Sequence, residues 1–399
     1  MRITQGTGQQ QFLTAINALD ESINQTQGQI SANQSFTTAS QNPIAAGEVN
    51  NYNQTLAQSQ QFSTNATGVQ ANLNTEDSTL SQVQNQLNSL RSLVLEANSG
   101  TLTASNRQAI ASQAQQIQNS LLTLANTQNG NGEYIFAGYA VQSQPFTLTA
   151  AGATYSGDSG VRQVEIAAGQ TVANGDSGDT VFNQISTGNG TFTVAANSAN
   201  TGTGLIGAST VSDPTQYDGG TYTIKFTAPD TYQVLNSANT VVSSGSYQDG
   251  TTISFDGLQV ALSGAPATGD SFTVAPSTNQ SLFSTVQNIV NVLNSGVTTT
   301  GGSSTALNNN LAGSINNIDQ ALAQMSDVRA SVGGRLNAIT AQQSVATTQQ
   351  TQLQTSISNL QGLNYAQAIT QLDQQNTTLQ AALQAYTMTQ GLSLFKYIQ

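Results

Sequence analysis

The residues of this chain whose type and spacing could carry chemistry are two acidic pairs, Asp20-Glu21 and Glu76-Asp77, and an acidic turn, Asp176-Ser177-Gly178-Asp179. Two carboxyls can divide acid and base work only when they converge on one point, and neighbours along a helix diverge. Both pairs therefore read as solvated or helix-terminal charges. The turn offers oxygens of the kind Ca²⁺ accepts, but it lacks a twelve-residue spacing closed by a glutamate, and Asp and Ser are ordinary turn formers. Gly130-Asn131-Gly132 is not a phosphate loop, because no Gly-Lys-Ser/Thr follows it and no strand precedes it. A glycine turn where a helix gives way to a strand accounts for it. Gly333-Gly334 interrupts a helical stripe at about 1 kcal/mol per glycine relative to alanine, which implies a close approach of another helix or a bend.

Composition narrows the chemistry further. Of 399 residues only 28 are charged, 8 basic and 20 acidic, and the net charge is −12. There is no His, Cys or Trp. Histidine-based nucleophile systems, disulfides and thiolate metal sites are thereby excluded. No enzyme activity, cofactor or metal is expected. Nucleic acid is an unsuitable partner, since phosphate neutralisation needs clustered Lys and Arg. No run approaches the roughly 20 apolar residues of a membrane span, and residues 1–30 lack the basic start and continuous apolar stretch of a cleavable signal.

The elements that hold these residues follow two periodicities. Phe12, Ile16, Leu19, Ile23 and Ile30 advance in alternating steps of four and three, with Thr26 in the gap. This is a heptad seam, which buries a narrow stripe of one helix against another. It breaks around Asn42-Pro43 and resumes at Val49, Tyr52 and Leu56. After a slip near Phe62 it runs through Leu73, Leu80, Val83, Leu87, Leu90 and Val94, and Asn98-Ser99-Gly100 ends it. Ile110, Ala114, Ile117, Leu121 and Leu124 mark a further helix. The last third repeats the pattern: Val286, Ile289 and Leu293, a loop at Gly301-Gly302, a long stripe from Leu311 to Leu360, and a seam of Tyr365, Ile369, Leu372, Leu379, Leu383 and Tyr386. A stripe of this length must be covered, so the two ends of the chain are expected to pack together as a coiled-coil or helical-bundle rod.

Residues 145–280 alternate with period two instead. Tyr222, Ile224 and Phe226 face one way and Thr221, Thr223 and Lys225 the other, with turn signals at Asp218-Gly219-Gly220, Ala228-Pro229-Asp230, Gln248-Asp249-Gly250 and Asp256-Gly257. Short strands at this spacing predict an inserted all-β domain in an otherwise mainly α protein. It holds 10 of the 20 acids against Arg162 and Lys225 alone. The helical arms place Gln, Asn, Ser and Thr where a solitary coiled coil places Glu and Lys, as in Ser112-Gln113-Ala114-Gln115-Gln116. Uncharged polar faces can be buried against neighbouring subunits without desolvating ions. The pattern favours a polymer over a solvated face.

The segment from Leu124-Ala125-Asn126-Thr127 through Asn129-Gly130-Asn131-Gly132-Glu133-Tyr134 to Phe136-Ala137-Gly138 resembles the junction motif of bacterial flagellins and flagellin-like hook-associated proteins. Met1-Arg2-Ile3, Asn42-Pro43-Ile44-Ala45-Ala46, Glu96-Ala97-Asn98-Ser99-Gly100-Thr101-Leu102, Asn106-Arg107, and the run from Ser358-Asn359-Leu360 to Leu392-Ser393-Leu394-Phe395 fit the same family in the same order. The helix Val328-Arg329-Ala330-Ser331-Val332-Gly333-Gly334-Arg335-Leu336 and the ending Leu394-Phe395-Lys396-Tyr397 are similar to its hook–filament junction members. Two acidic stretches usual in the family are here Ser40-Gln41-Asn42-Pro43 and Gln361-Gly362-Leu363-Asn364.

The resemblance implies five segments: 1–45 and 365–399 as a terminal coiled coil, 46–144 and 281–364 as a helical bundle, and 145–280 as a surface β domain. It implies a structural subunit that joins the hook zone to the filament, assembles with itself, and contacts hook-associated protein 1 and flagellin. Export through the flagellar type III apparatus to the extracellular flagellum is implied as well, with a cytoplasmic chaperone on the C-terminal helix before export. The assembly seams would be Phe12, Ile16, Leu19, Ile23 and Ile30 with Leu372, Leu379, Leu383 and Tyr386. A filament flagellin is the alternative. A secreted adhesive or carbohydrate-binding protein, with Tyr222, Tyr232 and Tyr247 as a sugar platform, is a weaker one.

Overall fold

The computed structural model describes residues 2–99, 102–298 and 304–391. Gly100, Gly301-Gly302, Ser393 and the ending at 394–397 lie outside them. The described chain holds six α-helices: α1 (Arg2–Ala32), α2 (Pro43–Ala97), α3 (Ala104–Ala125), α4 (Leu282–Thr298), α5 (Ser304–Gln361) and α6 (Tyr365–Gly391). All fifteen strands among the described residues, β1 to β15 in chain order, fall between α3 and α4, from Phe146 to Gln280. The fold is thus mainly α at both ends with a β-rich middle, as the periodicities predict. Helix starts have local causes. Pro43 supplies a fixed φ to the first turn of α2, and the Asn42 side chain accepts from the Ala45 amide at 3.1 Å. Thr103 caps α3 by accepting from the Asn106 amide at 3.2 Å.

The chain divides into two compact units, residues 1–64 with 341–399 and residues 65–340; α2 and α5 contribute to both. In the second unit the stripe residues Leu73, Leu80, Leu87, Leu90 and Val94 of α2 are buried with Ile110, Ala114 and Leu121 of α3, Val286, Ile289 and Leu293 of α4, and Leu311, Ile318, Met325, Val332 and Ile339 of α5. Arg91 to Asp319 at 2.7 Å and Arg329 to Asp77 at 2.8 Å link α2 to α5. No close approach explains Gly333 and Gly334: a Cβ at either position would meet open space, and α5 continues through both.

The β-rich middle belongs to two cores. The sequence reads it as one insertion, but Phe146 of β1 (Phe146–Thr149), Ile166 of β3 (Gln163–Ala167), Val172 of β4 (Gln170–Ala173), and Val181 and Phe182 of a π-helical turn (Asp179–Asn183) are buried in the same cluster as the helices. Phe146 lies against the rings of Tyr155, Phe182 and Phe283, with centroids 4.9, 5.4 and 5.2 Å away. The second core is a two-sheet module. One antiparallel sheet has the order β11 (Val241–Ser246), β10 (Thr231–Asn236), β9 (Tyr222–Ala228), β14 (Ser271–Pro276), β6 (Phe192–Ala196). The other has the order β12 (Thr252–Phe255), β13 (Leu258–Ser263), β7 (Leu205–Ile206). Tyr222, Ile224 and Phe226 point inward on alternate positions of β9, as the pattern predicts, and meet Ile253, Leu258 and Val260.

Asn309 fastens this module to α5. It accepts from the Ile206 amide at 2.8 Å and donates to the Gly204 carbonyl at 2.9 Å.

Candidate assembly surface

Local chemistry at the helix-to-strand turn explains the junction motif. Asn126, at the end of α3, donates to the Phe146 carbonyl and accepts from the Phe146 amide, both at 2.9 Å. One side chain thus pairs with β1 as a strand would. Asn129 accepts from the amides of Asn131 and Glu133 at 2.9 and 3.0 Å, and Gly132 takes a φ of +78°. At Gly138, φ is +67° and a Cβ would lie 2.2 Å from the Asp158 carbonyl oxygen, so no other residue fits. The motif is a structural corner.

In the first unit the two chain ends meet. The Phe12 and Tyr386 rings stack in parallel with centroids 4.5 Å apart, and Gln9 donates to the Tyr386 hydroxyl at 3.0 Å. Further along, Gln375 donates to Ser22 at 2.7 Å. Where α1 passes into α2 and α5 into α6, Gln34 pairs with Gly362 and the Ser35 amide donates to the Gln361 carbonyl at 2.7 Å. Phe36, Ala45 and Val49 are buried there with Ile357 and Leu360 packed on them. The altered stretch keeps a local role, since Gln41 accepts from the Thr37 amide at 2.7 Å.

Of the expected seam residues, Ile23 is buried, while Phe12, Ile16, Leu19, Ile30, Leu372, Leu379 and Tyr386 are half-buried. Leu383 is 45% exposed, with Tyr365 and Ile369 comparably open. The inward side of α6 carries Leu372, Gln375, Leu379, Ala382 and Tyr386, in four-three steps, and Leu383 lies one position past it. Leu13, Ile44, Val345 and Met388 add exposed apolar area to this unit. Its described side chains include the carboxylates of Asp20, Glu21, Glu48 and Asp373 and otherwise consist almost wholly of Gln, Asn, Ser, Thr and apolar residues.

Two expectations are corrected. Tyr222 and Tyr247 are 3% and 5% exposed; Tyr222 meets Phe255 and Tyr247 meets Phe226 edge-on, with centroids 5.1 and 5.2 Å apart. Burial pushes both phenols above their usual range. These rings are core and form no sugar platform. Glu76-Asp77 is not a solvated pair: Glu76 is 1% exposed and Asp77 is bound by Arg329. A signal for Glu76 stood in the sequence, because it occupies the seam position between Leu73 and Leu80.

The fold and this surface define a class: subunits whose two helical chain ends pair and whose middle carries a β module. Residues 3–141 match the bacterial flagellin N-terminal helical region, 315–398 the bacterial flagellin C-terminal helical region, and 195–276 the D2-like domain of flagellar hook-associated protein 1. The crystal structure of FlgL from Xanthomonas campestris is similar at 35% identity and a TM-score of 0.71, over 77% of this chain and 99% of that one. The flagellar junction protein FlgL from Legionella pneumophila is similar at 28% identity and a TM-score of 0.71, over 79% and 100%. Flagellar hook-associated protein 3 of Salmonella typhimurium is 34% identical over 157 residues, 39% of this chain and 49% of that protein. In sequence, therefore, the match spans about half the length of that curated relative. The chain belongs to the flagellar hook-associated protein 3 (FlgL) family.

Proposed function

We propose that the chain is a structural subunit of the bacterial flagellum that joins the hook zone to the flagellin filament, with no catalytic role. The observation that carries this reading is the first unit, in which both chain ends pair through half-buried seams and present an outer surface whose charged groups, among the described side chains, are the carboxylates of Asp20, Glu21, Glu48 and Asp373. Such a surface loses little on burial against further copies, because uncharged amides and hydroxyls can exchange water for one another. Around the pair, Tyr365, Ile369, Leu383 and Met388 offer apolar area to a neighbouring subunit. Phe12, Ile16, Leu19, Ile23, Ile30, Leu372, Leu379 and Tyr386 hold the pair that presents it.

Self-association in a ring or short helical layer then places hook-associated protein 1 on one side and flagellin on the other. The same face of α6 gives a cytoplasmic chaperone a surface to cover before export through the flagellar apparatus. A deletion strain tests the reading. Cells lacking the gene should build hooks and release flagellin into the medium without retaining filaments, and the intact gene should restore them. Normal filaments in the deletion strain would remove the junction role.

A further inference from the structure

We propose that Glu76, Asp176 and Arg335 form a proton-operated latch, which holds residues 174–177 on α2 while Glu76 is uncharged and releases them when it ionises. Glu76 sits on the core stripe of α2 between Leu73 and Leu80 and is 1% exposed. Its Oε1 accepts from the Asp176 amide at 3.2 Å. Its Oε2 is buried with no hydrogen-bond partner among the described residues. The Asp176 carboxylate is bound by Nη2 of Arg335, whose Nε and Nη1 are also buried without partners among the described residues. With Arg335 bound to Asp176, ionising Glu76 as well leaves an uncompensated negative charge at its buried carboxyl.

The surrounding charges do not relieve it. Asp77 on α2 is committed to Arg329 on α5. Glu133, on the turn after α3, is paired with Arg162 at 3.4 Å. Asp179, in the π-helical turn, accepts from Ser159, Asn183 and Gln184. Burial first, and then the neighbouring Asp176 carboxylate, hold the Glu76 carboxyl well above the usual carboxylate range, with Arg335 and the Asp176 amide opposing them less strongly. The docked form thus binds the Glu76 proton more tightly than a form in which water reaches the carboxyl. Docking is fully favoured below the ordinary carboxylate pKa of about 4.3. It weakens as pH rises from there to the docked value, and it changes no further above that. Once ionised, Glu76 recruits either water or the free nitrogens of Arg335. The first opens the segment, and the second takes from Asp176 its cation.

Native-state hydrogen exchange on the full chain, corrected for intrinsic rates between pH 5 and 9, reads the latch at the amides of Asp176 and Gly178, the latter bonded to the Phe136 carbonyl at 2.8 Å. Protection in the wild type should fall by up to about tenfold per pH unit and then level off. In Glu76→Gln, which keeps an acceptor for the Asp176 amide and cannot ionise, it should stay constant. A flat profile in the wild type, or the same slope in both proteins, overturns the proposal. If Glu76→Gln does not fold, carbon-13 NMR of the wild type labelled at glutamate Cδ decides it. Among the six glutamates, one resonance should titrate well above the ordinary carboxylate pKa of about 4.3, and a spectrum with no such resonance overturns the proposal.

Discussion

Replacing Phe146 with alanine tests whether residues 146–186 belong to the helical core or to a separable insertion. The ring is fully buried and meets Tyr155, Phe182 and Phe283. Its backbone pairing with Asn126 survives the substitution, because that uses only the amide and carbonyl of residue 146. The loss is therefore one of packing, and Phe→Ala at such sites costs about 3–5 kcal/mol. Against a total stability of about 5–15 kcal/mol, that is a large fraction. For a unit of this size each kcal/mol lowers the melting temperature by about 2 °C, so the helical transition should fall by about 6–10 °C. The assay is circular dichroism at 222 nm on purified full-length chain. The comparison is Phe226→Ala, equally buried but in the core of the two-sheet module, which should move the helical transition much less. An unchanged helical transition in Phe146→Ala, or an equal shift in Phe226→Ala, would refute the division into two cores.

Three further outcomes follow from particular contacts. Gly333→Ala or Gly334→Ala should each stabilise the chain by about 0.5–1 kcal/mol, because a Cβ meets open space at both; urea denaturation measures it, and a loss of stability contradicts the packing described for α5. Asn309→Ala strands the Ile206 amide and the Gly204 carbonyl and should cost about 1–3 kcal/mol; faster exchange at the Ile206 amide, with α2 amides unaffected, is the expected signature. Leu383→Asp should leave the monomer's melting within about 0.5 kcal/mol, as surface changes do, yet abolish filament retention, since an unpaired carboxylate buried between subunits costs several kcal/mol. Gln380→Asp on the exposed side of α6 is the control, and normal filaments in Leu383→Asp cells would remove this residue from the assembly contact.

The helices were readable because a heptad seam states its own period: residues four and three apart share a face whatever the partner helix is. The strands of the two-sheet module were readable for the same reason, with Tyr222, Ile224 and Phe226 alternating inward. What the period cannot state is which surface covers the buried face. Phe146 and Phe182 look like strand-core residues from their neighbours alone, and only the tertiary fold turns them toward Phe283 on α4. Glu76 shows the opposite failure: its position on the seam was visible, but a carboxylate is ordinarily assigned to solvent, and its surroundings come from residues 100 and 259 positions away. Leu383 falls between two faces of α6, so a seam counted from Leu379 can include or omit it with equal regularity. The corner at Asn126 left only a motif, whose physical cause is a side chain imitating a strand.

Immunogold labelling of intact flagella, with antibody raised against the β module, tests the junction assignment most directly. Gold confined to a narrow zone where the hook meets the filament is the expected result. Gold spread along the length of the filament would contradict it and make the chain a filament subunit.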